Sequence, residues 1–300
     1  MLSQRRTGTI GILTPQSLPV MFSNPFFATF AEGVALATEQ SGFGLRFISP
    51  LNGSLTDAMG LAVVDGLVAI GLSGMHPEFD EVRRSGVPTV LVDSGAMDGF
   101  PSLELDDHAG ALAAAEHLLA LGHTRFLVIG VEPPHPAWGD DPEVVLHRRL
   151  DGYRSAIQAA GLELPDEAVV VGPAGIQGGY AAFERAWQDG LRPTAVLAMS
   201  DAMAVGAIQA IHEQRLHVPD DVSVVGFDDL EIARVVNPPL TTVHQPVRRR
   251  GEEAAQLLLD AIAHGDAPAA HRIYQTRLIV RASTGPARRS EGGEPEAHPR

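Results

Sequence analysis

Apolar residues along the chain fall into two alternating rhythms. Short, nearly continuous runs occur at Thr9–Leu13, Leu45–Ile48, Gly66–Ile70, Thr89–Val92 and Leu103–Leu105, and again at Phe126–Ile129, Ala168–Val171, Ala195–Met199, Val222–Val225 and Arg277–Val280. Runs of this length and make-up predict strands buried on both faces. Between them the spacing turns helical: Phe27, Phe30, Val34 and Ala37 share one face, as do Leu150, Tyr153, Ile157 and Ala160, and further on Ala254, Leu257, Leu258 and Ile262. Strand–helix alternation predicts an α/β fold of parallel sheets covered on both faces. The number of runs suits two sheets, and 300 residues suit two compact units. No internal repeat of fixed period is visible. From Pro286 onward the chain is rich in Pro, Gly, Glu and Arg, so residues 287–300 are expected to be a disordered tail.

Composition narrows the function mainly by exclusion. Every one of the 22 basic residues is arginine, which removes a Schiff-base lysine and a P-loop lysine. The absence of cysteine removes disulfides, thiol nucleophiles and cysteine–zinc sites. A formal charge of −15 argues against the chain gripping nucleic acid by itself, because phosphate binding calls for a basic surface. After Arg5 and Arg6 comes only a short apolar run, Ile10 to Leu13, interrupted by Pro15 and Pro19. That is neither a signal peptide nor a membrane span, so a cytoplasmic protein with no membrane partner is expected.

Polar groups gather at the ends of the strand runs. Asp93 and Ser94 follow Val90-Leu91-Val92, Asp106 follows Leu103-Glu104-Leu105, Asp201 follows the run ending at Met199, and Asp228 follows Val224-Val225-Gly226-Phe227. In open α/β sheets ligands sit outside these carboxyl ends. Carboxylates without lysines or a metal-binding cluster suit a neutral, hydroxyl-rich ligand such as a sugar, since an ionised Asp accepts from several directions. Each also has a plainer reading. Asp201 could cap the helix carrying Val205, Ile208 and Ile211, Asp228-Asp229 could form an Asx turn, and Asp106-Asp107 could start a helix.

Arg149 opens a helix and can reach a cleft as a planar fork of donors, whereas Arg148 beside it reads as solvated. In Asn24-Pro25-Phe26-Phe27 the adjacent aromatics cannot both face the core, so one is expected at the crevice; packing of both at a helix entry is the alternative. The polar loop from Gly130 to His147 carries Trp138, which either lines the cleft mouth or anchors the loop. His135 and His147 lack the i, i+4 spacing of a metal pair, and no metal or other cofactor is assigned. Gly71-Leu72-Ser73-Gly74 is not a nucleophile elbow, and no dinucleotide fingerprint follows the first strand. Binding is therefore favoured over catalysis; an α/β enzyme acting on a sugar would have to use a carboxylate pair such as Asp201 and Asp228.

Two longer segments resemble hallmarks of the lactose-repressor/galactose-repressor family of bacterial transcription factors: Val218-Pro219-Asp220-Asp221-Val222-Ser223-Val224-Val225-Gly226-Phe227-Asp228-Asp229 and Pro238-Pro239-Leu240-Thr241-Thr242-Val243-His244-Gln245-Pro246. Thr9-Ile10-Gly11-Ile12, Asn24 to Phe27, Glu116-His117-Leu118 with Gly122-His123, Arg149 to Tyr153 and Ser200 to Ile211 fit in the same order, so the resemblance spans about residues 7 to 285. It implies two doubly wound parallel-sheet subdomains, like those of periplasmic sugar-binding proteins, joined by three hinge crossovers. One takes residues 8–106 and 245–273, the other 107–244 and 274–286.

The resemblance also implies a homodimer and a small effector, often a sugar and sometimes a purine, between the lobes. Carried over by motif, Arg149 and Asp201 would hydrogen-bond the effector, Phe26 and Phe27 would line its N-terminal side, and Ser94 and Asp106 would sit near the hinge face. Family members carry a helix-turn-helix headpiece. Here residues 1–7 are expected to be a linker remnant, so operator DNA would be met only through a headpiece absent from this chain. Many members place a ligand-stacking aromatic where Ala174 stands, and Trp138 is the candidate substitute. The rival on the same fold is a solute-binding protein for transport or chemotaxis, which would be secreted and monomeric.

Overall fold

The computed structural model describes residues 7–39, 41–133, 145–265 and 270–288. Its first part runs β1 (Thr9–Leu13), α1 (Leu18–Ser23), α2 (Pro25–Glu39), β2 (Gly44–Ile48), α3 (Leu55–Leu61), β3 (Gly66–Ile70), α4 (Phe79–Ser85), β4 (Thr89–Val92) and β5 (Ser102–Leu105). There follow α5 (Asp107–Ala120), β6 (Phe126–Val131), α6 (Val145–Ala159), β7 (Val169–Gly172), α7 (Ile176–Gln188), β8 (Ala195–Ala198), α8 (Asp201–Glu213), β9 (Ser223–Asp228) and α9 (Glu231–Val235). The chain closes with β10 (Thr241–His244), α10 (Val247–His264), β11 (His271–Tyr274) and β12 (Arg277–Ile279).

The strands form two six-stranded sheets, ordered β11-β5-β4-β3-β1-β2 and β12-β10-β9-β8-β6-β7. Pairing is parallel throughout except between β10 and β12. The chain passes from one sheet to the other three times, at Asp106, at Gln245-Pro246 and at Gln275-Thr276. This is the expected α/β architecture of two doubly wound sheets. The first and third crossovers are laced together: Asp106 N–H donates to the Tyr274 carbonyl at 2.9 Å, and the Thr276 hydroxyl to the Asp106 carbonyl at 3.3 Å.

The strands that read most clearly are those buried along their whole length, β3, β4, β5, β8 and β9. Two strands escaped the hydrophobic pattern. β10 begins with two threonines that are buried because their hydroxyls are bonded, Thr242 to Asp201 and Thr241 to Thr284 at 3.1 Å. β11 is an exposed edge strand with a polar sequence, and it ends at Tyr274, just past the lobe boundary expected at 273. Ala168, expected in a strand, lies in a 3-10 turn over Asp166–Ala168. Ala287 and Arg288, expected in the tail, are held: Ala287 N–H donates to the Leu121 carbonyl at 2.9 Å, and Arg288 pairs with Asp221. Residues 1–6 of the expected linker and 289–300 of the expected tail lie outside the described residues.

Of the helical faces, Phe27, Phe30 and Val34 on α2 meet Ala254, Leu257 and Leu258 on α10 in one core. Leu150, Tyr153 and Ile157 on α6 join a second core with α5, while Ala160 is exposed. Helices that pair do so at backbone distance, through glycine. A methyl group on Gly33 would run into the Arg248 carbonyl, one on Gly152 into that of His108, and one on Gly206 into that of Ile176. Gly206→Ala is therefore expected to push α7 off α8 and to cost about 1–3 kcal/mol, read as a lowered urea midpoint. An unchanged midpoint would mean the two helices can separate freely. No helix among the described residues is long and apolar enough to cross a membrane.

Candidate functional site

The carboxyl ends of the two sheets face each other across a cleft. From the first lobe come the segment after β1 with Gln16, the start of α2 with Asn24, Phe26 and Phe27, and Asp93 at the end of β4. From the second come Glu132 after β6, Arg149 on α6, Ala174, Met199-Ser200 and Asp228, with Gln245 of the second crossover on the floor.

Arg149 is buried and fixed on three sides. Its Nε donates to Asp107 at 2.8 Å, its Nη1 donates to the Met199 carbonyl, and the guanidinium lies 3.5 Å from the centre of the Phe227 ring. Burial works against its charge, but Asp107 and Asp228 outweigh that and raise its pKa. Among the described residues Nη2 makes no hydrogen bond.

A chain of hydrogen bonds crosses the hinge. Arg250 is wholly buried, a rare placement for arginine. Its Nη2 donates to Asp93 at the end of β4, and its Nη1 to Gln245 Oε1 at 2.7 Å. Gln245 Nε2 in turn donates to Asp228 Oδ1 at 2.5 Å at the end of β9. Asp93 and Asp228 carry positive φ angles, 51° and 119°. Such backbone is uncommon outside glycine and is concentrated at ligand sites.

Buried carboxyls beside this chain are pushed up. Burial, followed by Asp107 and Asp93, raises Asp228 to about 7 against the pull of Arg149 and Gln245. Burial and then Asp93 raise Glu104 to about 7, although Arg148 stands 3.9 Å away. For a carboxyl raised in the folded state, the native protein holds a proton that the unfolded chain releases. Its contribution to stability is then complete below the unfolded pKa near 4 and lost as pH rises toward 7. Asp228→Asn keeps the shape and cannot ionise. We expect it to be more stable than the natural protein at pH 8 and similar at pH 4.5, read from urea midpoints at both pH values; equal midpoints at pH 8 would contradict the raised carboxyl.

Of the six residues singled out from sequence, the cleft brings together Phe26, Phe27 and Arg149. The two aromatics meet edge to face at 5.4 Å, with Phe27 in the core and Phe26 half-buried. Ser94, Asp106 and Asp201 lie outside the cleft lining. Ser94 ties strand ends, accepting from Leu72 N–H at 3.1 Å and donating to the Val92 carbonyl. Asp106 sits in the first crossover and caps α5 through Ala109 N–H at 3.0 Å.

Asp201 is not the cap of α8 that its plainer reading supposed. The cap of α8 is Ser200, which accepts from Met203 N–H at 3.2 Å. The Asp201 carboxylate is fully buried and accepts from Leu230 N–H at 2.8 Å and from the Thr242 hydroxyl. It ties α8 to β10, a strand the pattern did not reveal. Arg148 is not solvated either: it is half-buried and pairs with Asp107 at 3.0 Å. Trp138 and His135 lie outside the described residues.

Gln245, Arg250, Glu104 and Asp107 were not singled out. Gln245 at least lies in a hallmark segment, but nothing local marks Arg250, whose partner Asp93 is 157 positions away. Among the described residues no group of three or more His, Asp or Glu is placed to hold a metal ion.

Comparison with known proteins agrees with this geometry. The periplasmic binding protein-like domain family matches residues 115–284. The chain is 35% identical to the ribose operon repressor of Escherichia coli K12 over 269 residues, 87% of this chain and 77% of that protein. It is also 35% identical to the HTH-type transcriptional regulator MalR of Streptomyces coelicolor, over 95% of this chain and 83% of the relative. Among solved structures, a complex of the transcriptional regulator CelR with cellobiose superposes with a TM-score of 0.79 at 30% identity, covering 93% of this chain and 85% of that one. A regulator from Enterococcus faecium with bound ribose superposes with a TM-score of 0.75 at 25% identity, covering 93% and 100%.

Proposed function

The chain belongs to the LacI family of transcriptional regulators on a periplasmic-binding-protein-like fold, and from that premise we propose that its inter-lobe cleft is the effector site and that the effector is a sugar. The observation that carries this is the pairing of an aromatic wall, Phe26 and Phe27, with the polar floor of Arg149, Asp228 and Gln245. Aromatic faces cover the apolar side of a sugar ring while convergent donors and acceptors fix its hydroxyls. The sugars named for relatives, ribose and cellobiose, support the class. Phe26, Phe27 and Arg149 are assigned to direct contact, and Ser94, Asp106 and Asp201 to holding the strand ends and crossovers around it.

The lobes are residues 8–106 with 245–273 and 107–244 with 274–286, a division supported by sheet membership. Effector binding closes them and so changes operator affinity through a helix-turn-helix headpiece; catalysis is not assigned. A ligand shifts such a balance only by its differential affinity for the two forms, typically about 1–3 kcal/mol. The protein works in the cytoplasm as a homodimer. The dimer face proposed is the apolar strip of Leu18, Phe22 and Leu36 on α1 and α2, continued across the lobes by Ile176 on α7, where Ser23 approaches Gly175.

Thermal unfolding with ribose, cellobiose and a wider sugar panel tests the site. A true effector at a hundredfold over its dissociation constant stabilises by about 2.7 kcal/mol. No shift with any sugar would sink this reading. Sedimentation tests the face: Phe22→Asp is expected to yield monomers, and a natural protein that is itself monomeric would favour a solute receptor.

A further inference from the structure

Among the described residues four ionisable side chains line the cleft, Asp93, Glu132, Arg149 and Asp228, so three carboxyl groups face one guanidinium. Asp93 is paired with Arg250, and Arg149 with Asp107, which Arg148 shares. Asp228 is bonded through Oδ1 to the uncharged Gln245, and among the described residues its Oδ2 accepts no hydrogen bond. Glu132, exposed at the mouth just beyond β6, makes no side-chain hydrogen bond or ion pair among the described residues. The chain contains no lysine that could reach in.

Unpaired carboxylates in a semi-enclosed site act on a ligand in two ways. They accept hydrogen bonds from hydroxyls, and they repel anions more strongly than in open water because the surrounding protein screens poorly. A phosphate ester is close to doubly charged near neutral pH and offers acceptors where this site needs donors. Among the described residues the one cation in the lining is Arg149, which Asp107 holds and which also acts on Asp228.

Resting on the effector reading above, we propose that the site selects by charge: it takes an unphosphorylated, hydroxyl-donating sugar and rejects the phosphate ester of the same sugar, with Asp228 on the floor and Glu132 at the mouth as the selecting groups. The signal is then the sugar before its kinase reaction. Phosphoryl transfer to the sugar removes the signal even while the carbon skeleton stays in the cell.

Calorimetric titration at pH 8, where Asp228 is ionised, with ribose against ribose 5-phosphate and glucose against glucose 6-phosphate tests the proposal. The neutral member of a binding pair is expected to bind at least about tenfold more tightly, equivalent to about 1.4 kcal/mol. Glu132→Gln and Asp228→Asn should each narrow that ratio by strengthening the ester. Glu132→Gln alters an exposed side chain, so its result does not hang on folding. Equal or preferred binding of the ester by the natural protein overturns the selection and leaves the sugar site standing. A ratio unchanged in both variants overturns the assignment to these carboxylates. If neither these pairs nor any sugar of the thermal panel binds, the sugar reading itself fails, and this one with it.

Discussion

Arg250→Met is expected to cost about 3–5 kcal/mol of folding stability, the usual consequence of removing one partner from a buried ion pair. The methionine fills much of the space but leaves Asp93 without its cation and Gln245 Oε1 without its donor. Both acceptors are buried, so water cannot readily replace what is lost. Guanidinium denaturation of the single variant and of Arg250→Met with Asp93→Asn gives the coupling between the two positions. The double variant should recover a substantial part of the loss, because the stranded charge is gone. A single-variant loss below about 1 kcal/mol would mean that the hinge relay contributes little.

Arg149→Met is expected to abolish the effector response while leaving the fold largely intact. The contrast with Arg250 lies in the partner: Asp107 keeps Arg148 at 3.0 Å when Arg149 is removed. What disappears is the donor fork at the cleft and the anchor to Met199. Truncating a buried, hydrogen-bonded charge at a binding site typically costs about 2–5 kcal/mol, a thirtyfold or greater loss of affinity. Sugar titration of the variant, alongside its unfolding curve, separates the two effects. Unchanged affinity would remove Arg149 from the site.

The architecture was legible in the sequence because so many strands are buried on both faces and therefore appear as unbroken apolar runs. β10 and β11 were not, for opposite reasons. Thr241 and Thr242 enter the core only because particular hydroxyl partners wait there, and β11 is an edge strand that never had to be apolar. The site divides along the same line. Phe26, Phe27 and Arg149 could be found because each carries a local signature, an aromatic pair in the first turn of a helix or a cation one turn into one. Asp201 stands in a matching motif, yet its side chain answers to β10, and a motif does not say which way a carboxylate turns. Arg250 sits in the apolar stripe of α10 with its carboxylate partner Asp93 157 positions away, and no window of sequence contains both.

The triple passage of the chain between the sheets has a mechanical consequence. One connecting segment would act as a swivel and two as a loose strap, but three, with the first and third bonded to each other at Asp106, Tyr274 and Thr276, resist twisting and sliding together. The soft motion then expected is opening and shutting about a single axis, like the covers of a book. A sensor with one degree of freedom can grade its ligands only by how far they close it. Different molecules entering this cleft would therefore give stronger or weaker versions of the same message to the operator.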